Sequence, residues 1–176
     1  RPTLVNHVED RDLWRFVLPR TREIQANIFS FTYTWENWDF IAGQLTTPEG
    51  RHLFYTGGES IERKHFKDIA ELLSVCTHER LIGGHRVPCA NLPYTLASDV
   101  GHSLLKSFPH ADFAATYFLN ERSEAVFSLR SEDSRTDVSF IAKYFGGGGH
   151  RNAAGFTVPW DNLSAFGVFK EPSVTR

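Results

Sequence analysis

Hydrophobic residues in the first half of the chain recur at helical spacing. Ile24 and Ile28 lie four residues apart and predict a short helix over residues 21–29. Thr34 is a candidate N-cap for a second helix, because apolar residues follow it at the same spacing. Those residues are Trp35, Trp38, Ile41 and Ala42. We therefore predict a mainly helical connecting segment over residues 19–84.

Within that segment, residues 48–60 interrupt the helical pattern. Residues 48–50 predict a turn, residues 51–56 a short strand, and Gly57 and Gly58 a break after it. Ser60 is then a candidate cap for a further helix. Its expected inner face is Phe66, Ile69, Ala70 and Leu73. Gly83 and Gly84 predict a domain boundary.

After this boundary the pattern changes to that of a compact α/β unit. Capping residues precede apolar residues at helical spacing twice, at Ser98-Asp99 and at Asp137, and each predicts a helix. Their expected inward-facing residues are Val100, Leu104, Leu105 and Phe108, and Val138, Ile141, Ala142 and Phe145. The predicted strands are residues 86–92, an alternating stretch from Phe113 to Leu119, residues 125–129 and residues 155–158. We therefore predict an α/β fold with a small mixed β-sheet and flanking helices.

Composition limits the class of protein. The 176 residues are 41% hydrophobic, which suits one globular domain with a helical extension. The net charge is −2, whereas a protein that coats duplex nucleic acid usually has a strong excess of basic residues. No apolar run approaches the roughly 20 residues of a membrane span. Two cysteines, Cys76 and Cys89, are too few for a disulfide framework, so we expect a cytoplasmic protein. Because the chain begins at Arg1 and contains no methionine, we expect it to be part of a longer protein.

The most informative segment is the glycine run at residues 146–149, which His150 and Arg151 follow directly. Successive glycines allow backbone amides to converge on an anion, while arginine and histidine supply donors suited to phosphate oxygens. Ala153 and Gly155 are small enough for a ligand to approach closely. The alternative is a helix C-cap followed by a flexible turn.

Other sites that bind phosphate or metal are less well supported. The glycine run lacks the P-loop lysine and does not keep the dinucleotide GxGxxG register, and no GxSxG or HExxH segment occurs. Cys76, His78, His85 and Cys89 could form a zinc site, but their spacing is unlike that of common zinc motifs. Buried cysteines beside surface histidines are the alternative.

Three stretches together carry a specific resemblance: SLRS at residues 128–131, DVSFIA at residues 137–142 and GGGGHRNAAGF at residues 146–156. They resemble the DHH-associated domain, the C-terminal partner of the DHH phosphoesterase domain in nanoRNases, RecJ-like exonucleases and exopolyphosphatase-like proteins. The resemblance covers residues 86–158. It implies a DHH-associated domain at residues 85–160 and a C-terminal extension at residues 161–176.

The resemblance implies a substrate-binding site. By analogy with the family, Gly147, Gly148, Gly149, His150 and Arg130 hold the phosphate and terminal nucleotide, and Arg151 and Asn152 are further candidates. The chain would be the C-terminal, substrate-binding portion of a metal-dependent phosphoesterase. Such an enzyme hydrolyses phosphodiester or phosphoanhydride bonds in short oligonucleotides, nucleotides or polyphosphate. The alternative is a non-catalytic module that binds nucleotides or single-stranded nucleic acid. Residues 132–136 depart from the family, whose members often have a shorter, glycine-containing turn there.

The resemblance also assigns residues 1–18 to the end of an upstream DHH catalytic domain. Asp10 follows a stretch that resembles the short apolar strand before the family's last metal motif, so it is the metal candidate, with Asp12 and His7 next. A solvated charged turn is the alternative. The complete enzyme would use Mn²⁺ or Mg²⁺. One carboxylate cannot hold a metal pair, so we expect no metal to be held by this chain alone. The expected partners are a phosphate-containing substrate and the upstream domain, whereas homodimer formation stays open.

Overall fold

The structure is a computed structural model that describes residues 1–163. Its contacts divide the chain into two compact units, Arg1–Asp68 and a second unit that begins at Ile69. Within residues 1–76 there are four helices: α1 (Thr3–Asp12), α2 (Thr21–Ile28), α3 (Trp35–Gln44) and α4 (Pro48–Cys76). The unit boundary falls inside α4.

The first unit has a small hydrophobic core of its own. The buried residues of this core are Leu4, Ile24, Ile28, Ile41, Leu45 and Phe54. Ile24 and Ile28 point inward from α2, as their spacing predicts. Thr34 caps α3, since its side-chain oxygen accepts a hydrogen bond from the Asn37 amide at 3.3 Å. Both helical predictions are confirmed.

The predicted interruption at residues 48–60 is wrong, because α4 runs through it without a turn, strand or new cap. Packing explains why Gly57 and Gly58 occur inside this helix. A Cβ atom on Gly58 would lie 1.8 Å from the Glu23 carbonyl oxygen of α2, and one on Gly57 would lie 3.0 Å from Asn27 Nδ2. The two glycines therefore allow α4 to approach α2 closely, and they do not form a turn.

The second unit contains a sheet of six described strands: β1 (Thr77–Ile82), β2 (His85–Asn91), β3 (Ala114–Leu119), β4 (Glu124–Arg130), β5 (Gly148–His150) and β6 (Ala153–Pro159). Their order is β1-β2-β3-β4-β6-β5. β2 and β3 are parallel and the other neighbours antiparallel, so the predicted α/β fold with a mixed sheet is confirmed. β1 and β5 were not predicted. Gly83 and Gly84 form the turn between β1 and β2, both with positive φ.

Two helices cover opposite faces of this sheet: α5 (Ala97–Ser107) and α6 (Val138–Tyr144). Ala114 and Ala115 are consecutive in β3 and point to opposite faces. Ala114 belongs to the core that includes Leu104 of α5, and Ala115 to the core that includes Ala142 of α6. Burial on both faces also explains why residues 114–117 are all buried, where alternation was predicted.

The two predicted caps of these helices differ in outcome. Asp137 caps α6, and its carboxylate accepts a hydrogen bond from the Ser139 amide at 2.9 Å. The cap at Ser98-Asp99 is wrong, because a 3-10 turn at Tyr94–Leu96 leads directly into α5 and Ser98 already lies inside the helix.

In the described residues, none of the helices combines the length and hydrophobicity that a membrane crossing requires. The predicted C-terminal extension, residues 161–176, lies outside the described residues after Leu163. The predicted domain boundaries stay a prediction.

Candidate functional site

The glycine run begins as the C-terminal cap of α6. Gly146 has φ of 79°, and its amide donates to the Lys143 carbonyl at 3.0 Å, while the Gly147 amide donates to the Ala142 carbonyl at 2.8 Å. This pair of bonds is a Schellman motif. A nest made from all four glycine amides is therefore wrong, since the first two amides already have partners inside the protein.

The remaining residues of the run form β5, the last strand in the sheet order, and they are exposed. Gly148, Gly149 and His150 pair with Gly155, Ala154 and Ala153 of β6. Hydrogen-bonded and non-hydrogen-bonded pairs alternate along an antiparallel ladder. β5 therefore directs either the Gly149 amide, or the amides of Gly148 and His150, away from β6.

The fold requires glycine at two of these positions and does not require it at a third. A Cβ on Gly147 would lie 2.1 Å from the Gly155 carbonyl oxygen. Gly149 has φ of 141°, and its Cβ would lie 2.5 Å from Ala154 Cα. A Cβ on Gly148 would meet nothing within 4 Å. Packing therefore explains Gly147 and Gly149 and leaves Gly148 without a structural reason.

Strand pairing brings Arg130 and His150 into one row. Arg130 pairs with Ala153 across β4 and β6, and Ala153 pairs with His150 across β6 and β5. Directly paired residues of an antiparallel sheet project to the same face. The two candidate side chains therefore stand on one face, with only the methyl group of Ala153 between them.

A second row lies beside the first on the same face. It consists of Ser128, Gly155 and Gly148, which pair in that order across β4, β6 and β5. We call the two rows together the site face; its members are Arg130, Ala153, His150, Ser128, Gly155 and Gly148. Apart from Arg130 and His150 its residues are small, so a ligand can lie close to the sheet. The site face is on the α5 side, because Arg130 contacts α5.

Arg130 is half-buried at the end of β4, and its guanidinium has fixed partners. Nη1 donates to the Leu129 carbonyl at 2.9 Å and Nη2 donates to Ser98 Oγ at 2.8 Å. The charge of Arg130 also affects the pKa of His102 in α5. Burial, followed by the positive charge of Arg130, lowers the pKa of His102 to about 4. His102 is therefore neutral at physiological pH.

Arg151 and Asn152 form the turn between β5 and β6, and their side chains bond to the loop that follows β4. Asn152 Nδ2 donates to Asp133 Oδ1 at 2.7 Å, and Arg151 Nη2 donates to the Asp133 carbonyl at 2.8 Å. Arg151 Nη1 lies 3.7 Å from Asp137 Oδ2. The hydrogen bonds from Ser139, and then the charge of Arg151, hold the pKa of Asp137 below its usual value, against the effect of burial. Substrate contact by Arg151 and Asn152 stays a prediction, and their observed bonds fix the hairpin.

Asp10 lies in α1, so the short strand implied before it is wrong. Asp10 is only 4% exposed, and the alternative of a solvated turn does not describe it either. One carboxylate oxygen accepts from the Val17 amide at 2.9 Å; the other accepts from the Leu18 amide and from Thr21 Oγ1 at 2.7 Å. The Thr21 oxygen lies 2.8 Å from Nδ1 of the buried His7. Asp10 thus organises the chain from residue 17 to residue 21.

Within residues 1–163, no three side chains of His, Cys, Asp or Glu lie close enough together to hold a metal ion. The described residues therefore do not by themselves fit a pair of Mn²⁺ or Mg²⁺ ions, and Asp10 as a metal ligand stays a prediction. The site face instead has the chemistry of an anion site. Arginine and histidine donors flank a floor of small residues, and at least one β5 amide is directed away from β6.

Three residues at this site were missed from the sequence. The sequence pattern indicates a helix cap at Ser98 and assigns no role to His102 or Gly101. A Cβ on Gly101 would lie 2.5 Å from Arg130 Cγ, so this glycine makes room for the arginine. An isolated glycine inside a helical pattern often has a packing reason, and that signal was present at Gly101.

The fold of this chain is similar to the folds of two solved structures. The pGpG-specific phosphodiesterase PggH of Vibrio cholerae aligns with a TM-score of 0.59 and 12% identity, over 92% of this chain and 62% of that protein. The DHH domain of a member of the s1p family of ribosomal proteins aligns with a TM-score of 0.54 and 13% identity, over 82% of this chain and 38% of that one. At these identities the likeness concerns the fold.

Sequence comparison points the same way, although no family model matches. Protein R106 of Acanthamoeba polyphaga mimivirus, an uncharacterised protein, is 32% identical over 160 residues, which is 88% of this chain and 36% of R106. Oligoribonuclease NrnB of Bacillus subtilis is 34% identical over 100 residues, which is 57% of this chain and 23% of NrnB. The chain therefore spans about a third or less of these curated relatives. Sequence and fold together confirm the resemblance to DHH-family phosphoesterases.

Proposed function

We propose that this chain is the substrate-binding portion of a phosphoesterase that hydrolyses phosphodiester bonds in short oligonucleotides or dinucleotides. Two similar proteins support the proposal: one is a pGpG-specific phosphodiesterase and the other is an oligoribonuclease. Nucleotides and polyphosphate share the same anionic chemistry and stay within the proposal. Arg130 and His150 contact the phosphate, and Gly148 lets the substrate approach β5.

The single observation behind this proposal is the row that joins Arg130 and His150 across Ala153. Arginine can bind two phosphate oxygens at once, and histidine can donate a further hydrogen bond. The small Ala153 between them is exposed, so it leaves room for the anion. Gly148, which packing does not require, lies next to this row.

In the complete protein, an upstream DHH domain would supply the metal centre with Mn²⁺ or Mg²⁺, and this chain would hold the substrate for it. Two metal ions in such an enzyme activate water and stabilise the leaving oxygen. The residues of the site face would bind and orient the substrate. Residues 1–18, including Asp10, would form the end of that domain.

Filling the space between Arg130 and His150 tests the proposal. Ala153→Leu places a larger side chain in the row, whereas Thr157→Leu makes a matched change at an exposed position of β6 on the same face, outside the two rows. We expect calorimetric titration of the chain with pGpG to show binding by the wild type and by Thr157→Leu, and at least tenfold weaker binding by Ala153→Leu.

The complete protein provides the second part of the test. His150→Ala should lower Mn²⁺-dependent cleavage of di- and trinucleotides. Wild-type activity of that variant, or equal pGpG affinity in the two leucine variants, would contradict the proposal. Binding without any hydrolysis by the complete protein would instead support the non-catalytic binding module.

A further inference from the structure

The position of Arg130 depends on α5, a helix whose residues do not belong to the glycine–histidine motif. Ser98 Oγ accepts a hydrogen bond from Arg130 Nη2 at 2.8 Å, and the Leu129 carbonyl accepts one from Nη1 at 2.9 Å. These two acceptors fix both terminal nitrogens of the guanidinium. A long side chain that would otherwise sample many rotamers is thus held in one conformation.

Gly101 allows the stem of Arg130 to take this path. A Cβ on Gly101 would lie 2.5 Å from Arg130 Cγ and 2.9 Å from Arg130 Cβ. Neither atom is at the flexible end of the side chain, so any larger residue would force Arg130 into another rotamer. α5 thus provides a space at Gly101 and an acceptor at Ser98, one helical turn apart.

We infer that Ser98 and Gly101 are positioning residues, which orient Arg130 before the substrate binds and thereby set the affinity of the site for phosphate. This inference rests on the proposed function, because it assumes that Arg130 contacts the substrate. It adds that α5 carries part of the affinity without touching the phosphate. Orienting a donor in advance improves binding because less conformational freedom is lost when the ligand arrives.

Four variants of this chain test the inference by calorimetric titration with pGpG. Ser98→Ala removes the acceptor and should weaken binding roughly tenfold, since a hydrogen bond to a charged group is lost. Ser98→Thr keeps the oxygen and should stay within about twofold of the wild type. Gly101→Ala should weaken binding at least as much as Ser98→Ala, because it displaces the arginine stem. Ser107→Ala, an exposed serine at the other end of α5, should have no effect.

A further pair of variants separates positioning from direct contact or loss of folding. If Ser98 acts through Arg130, Ser98→Ala should have no additional effect in an Arg130→Ala background. Thermal melting should show that Ser98→Ala and Gly101→Ala still unfold cooperatively. The higher helix propensity of alanine offsets part of the cost of the clash with Arg130, so Gly101→Ala should still fold.

The outcomes distinguish this inference from the proposed function. Wild-type affinity in both Ser98→Ala and Gly101→Ala, with weak binding in Arg130→Ala, would overturn the positioning role and leave the proposed function standing. Wild-type affinity in Arg130→Ala would overturn both. An equal effect of Ser98→Ala in the wild-type and Arg130→Ala backgrounds would also overturn it, because Ser98 would then act independently of the arginine.

Discussion

Arg130 and His150 stand on the same face of the sheet, separated by two strand spacings and by the methyl group of Ala153. Strand spacings near 4.8 Å place their Cα atoms about 10 Å apart. The SLRS and glycine–histidine motifs are separated in the sequence by residues 132–145, and the β4–β6–β5 ladder brings Arg130 and His150 onto one face. The geometry of the site therefore depends on the register of this ladder, and several substitutions can test that dependence.

The glycine run contains a matched pair of positions for separating folding from binding. Gly147→Ala places a Cβ 2.1 Å from the Gly155 carbonyl oxygen and 2.6 Å from Phe156 Cβ. Neither neighbour can move without disturbing β6. We expect a loss of roughly 1–3 kcal/mol in unfolding free energy, as in other overpacked sites. Urea denaturation measures it, and an unchanged midpoint would contradict the close packing.

Gly148→Ala should leave stability unchanged and lower the affinity for substrate. Its Cβ meets no protein atom within 4 Å, so the free energy of unfolding should stay within about 0.5 kcal/mol of the wild type. If the substrate approaches β5 at this position, the affinity for pGpG should fall, and calorimetry can measure both quantities on one preparation. Gly43→Ala in α3, where a Cβ also meets nothing, is the control that should leave affinity unchanged. Unchanged affinity in Gly148→Ala would remove this glycine from the proposed site.

Local chemistry made much of the second unit predictable. The cap at Asp137, the inward residues of α6 and the strands over residues 125–129 and 155–158 follow from one periodicity or one capping side chain each. The glycine–histidine motif lies at the edge of this sheet, and its role in substrate binding stays a prediction. What it could not indicate was that Gly146 and Gly147 complete a helix end, since that assignment depends on which carbonyls their amides reach.

The errors arose where a residue serves a distant contact. Gly57 and Gly58 resemble a turn in sequence, but α2 packs against them, and no local pattern reveals that contact. Ser98 resembles a cap, and its actual partner is Arg130, 32 positions further along the chain. The pattern does not indicate β5, because two of its three residues are glycines, which have little intrinsic strand preference. These residues form a strand only beside β6. Tertiary contacts decided each of these cases.

The turn between β5 and β6 depends on the bond from Asn152 to Asp133. A double-mutant cycle with Asp133→Ala and Asn152→Ala should give a coupling of about 0.5–1.5 kcal/mol in unfolding free energy, the range of one hydrogen bond. If Asn152 acts only by fixing the hairpin, both single variants should weaken pGpG binding equally. A much larger loss with Asn152→Ala would show direct contact with the substrate.

Asp10 should stabilise the first unit in a pH-dependent manner. Burial alone would raise the pKa of Asp10, but hydrogen bonds from Thr21, Val17 and Leu18 and the charge of His7 outweigh it and lower the pKa below 3.8. A carboxyl group with a lowered pKa in the folded state stabilises above its unfolded pKa. This stabilisation is therefore present at neutral pH and is lost as the pH falls below 3.8.

Asp10→Asn tests this prediction, because the amide keeps the size of the side chain but turns one acceptor into a donor that faces donors. We expect a clearly lower urea midpoint at pH 7 and a difference from the wild type that narrows below pH 3.8. Circular dichroism at several pH values measures it. A constant difference across this range would show that the carboxylate charge contributes nothing.

Protonation of His102 should destabilise the second unit as the pH falls. This effect should begin at a higher pH than the effect of Asp10 on the first unit. The pKa of His102 is about 4 in the folded protein, lowered by burial first and by Arg130 second, with Lys106 adding to this effect and Asp99 and Glu132 opposing it. In the unfolded chain it is 6.5. The unfolded state therefore binds the proton first, and stability present above pH 6.5 is lost as the pH falls towards 4.

Three variants test this titration and its dependence on the arginine beside it. His102→Gln cannot take up the proton, so the loss of stability between pH 6.5 and 4 should be smaller than in the wild type. Arg130→Ala removes a repelling charge and should raise the pKa of His102, whereas Arg130→Lys keeps the charge and should change it less. NMR titration of the imidazole measures these shifts directly. An imidazole that titrates near 6.5 in the wild type, or that does not respond to Arg130→Ala, would contradict a half-buried His102 held neutral beside the arginine.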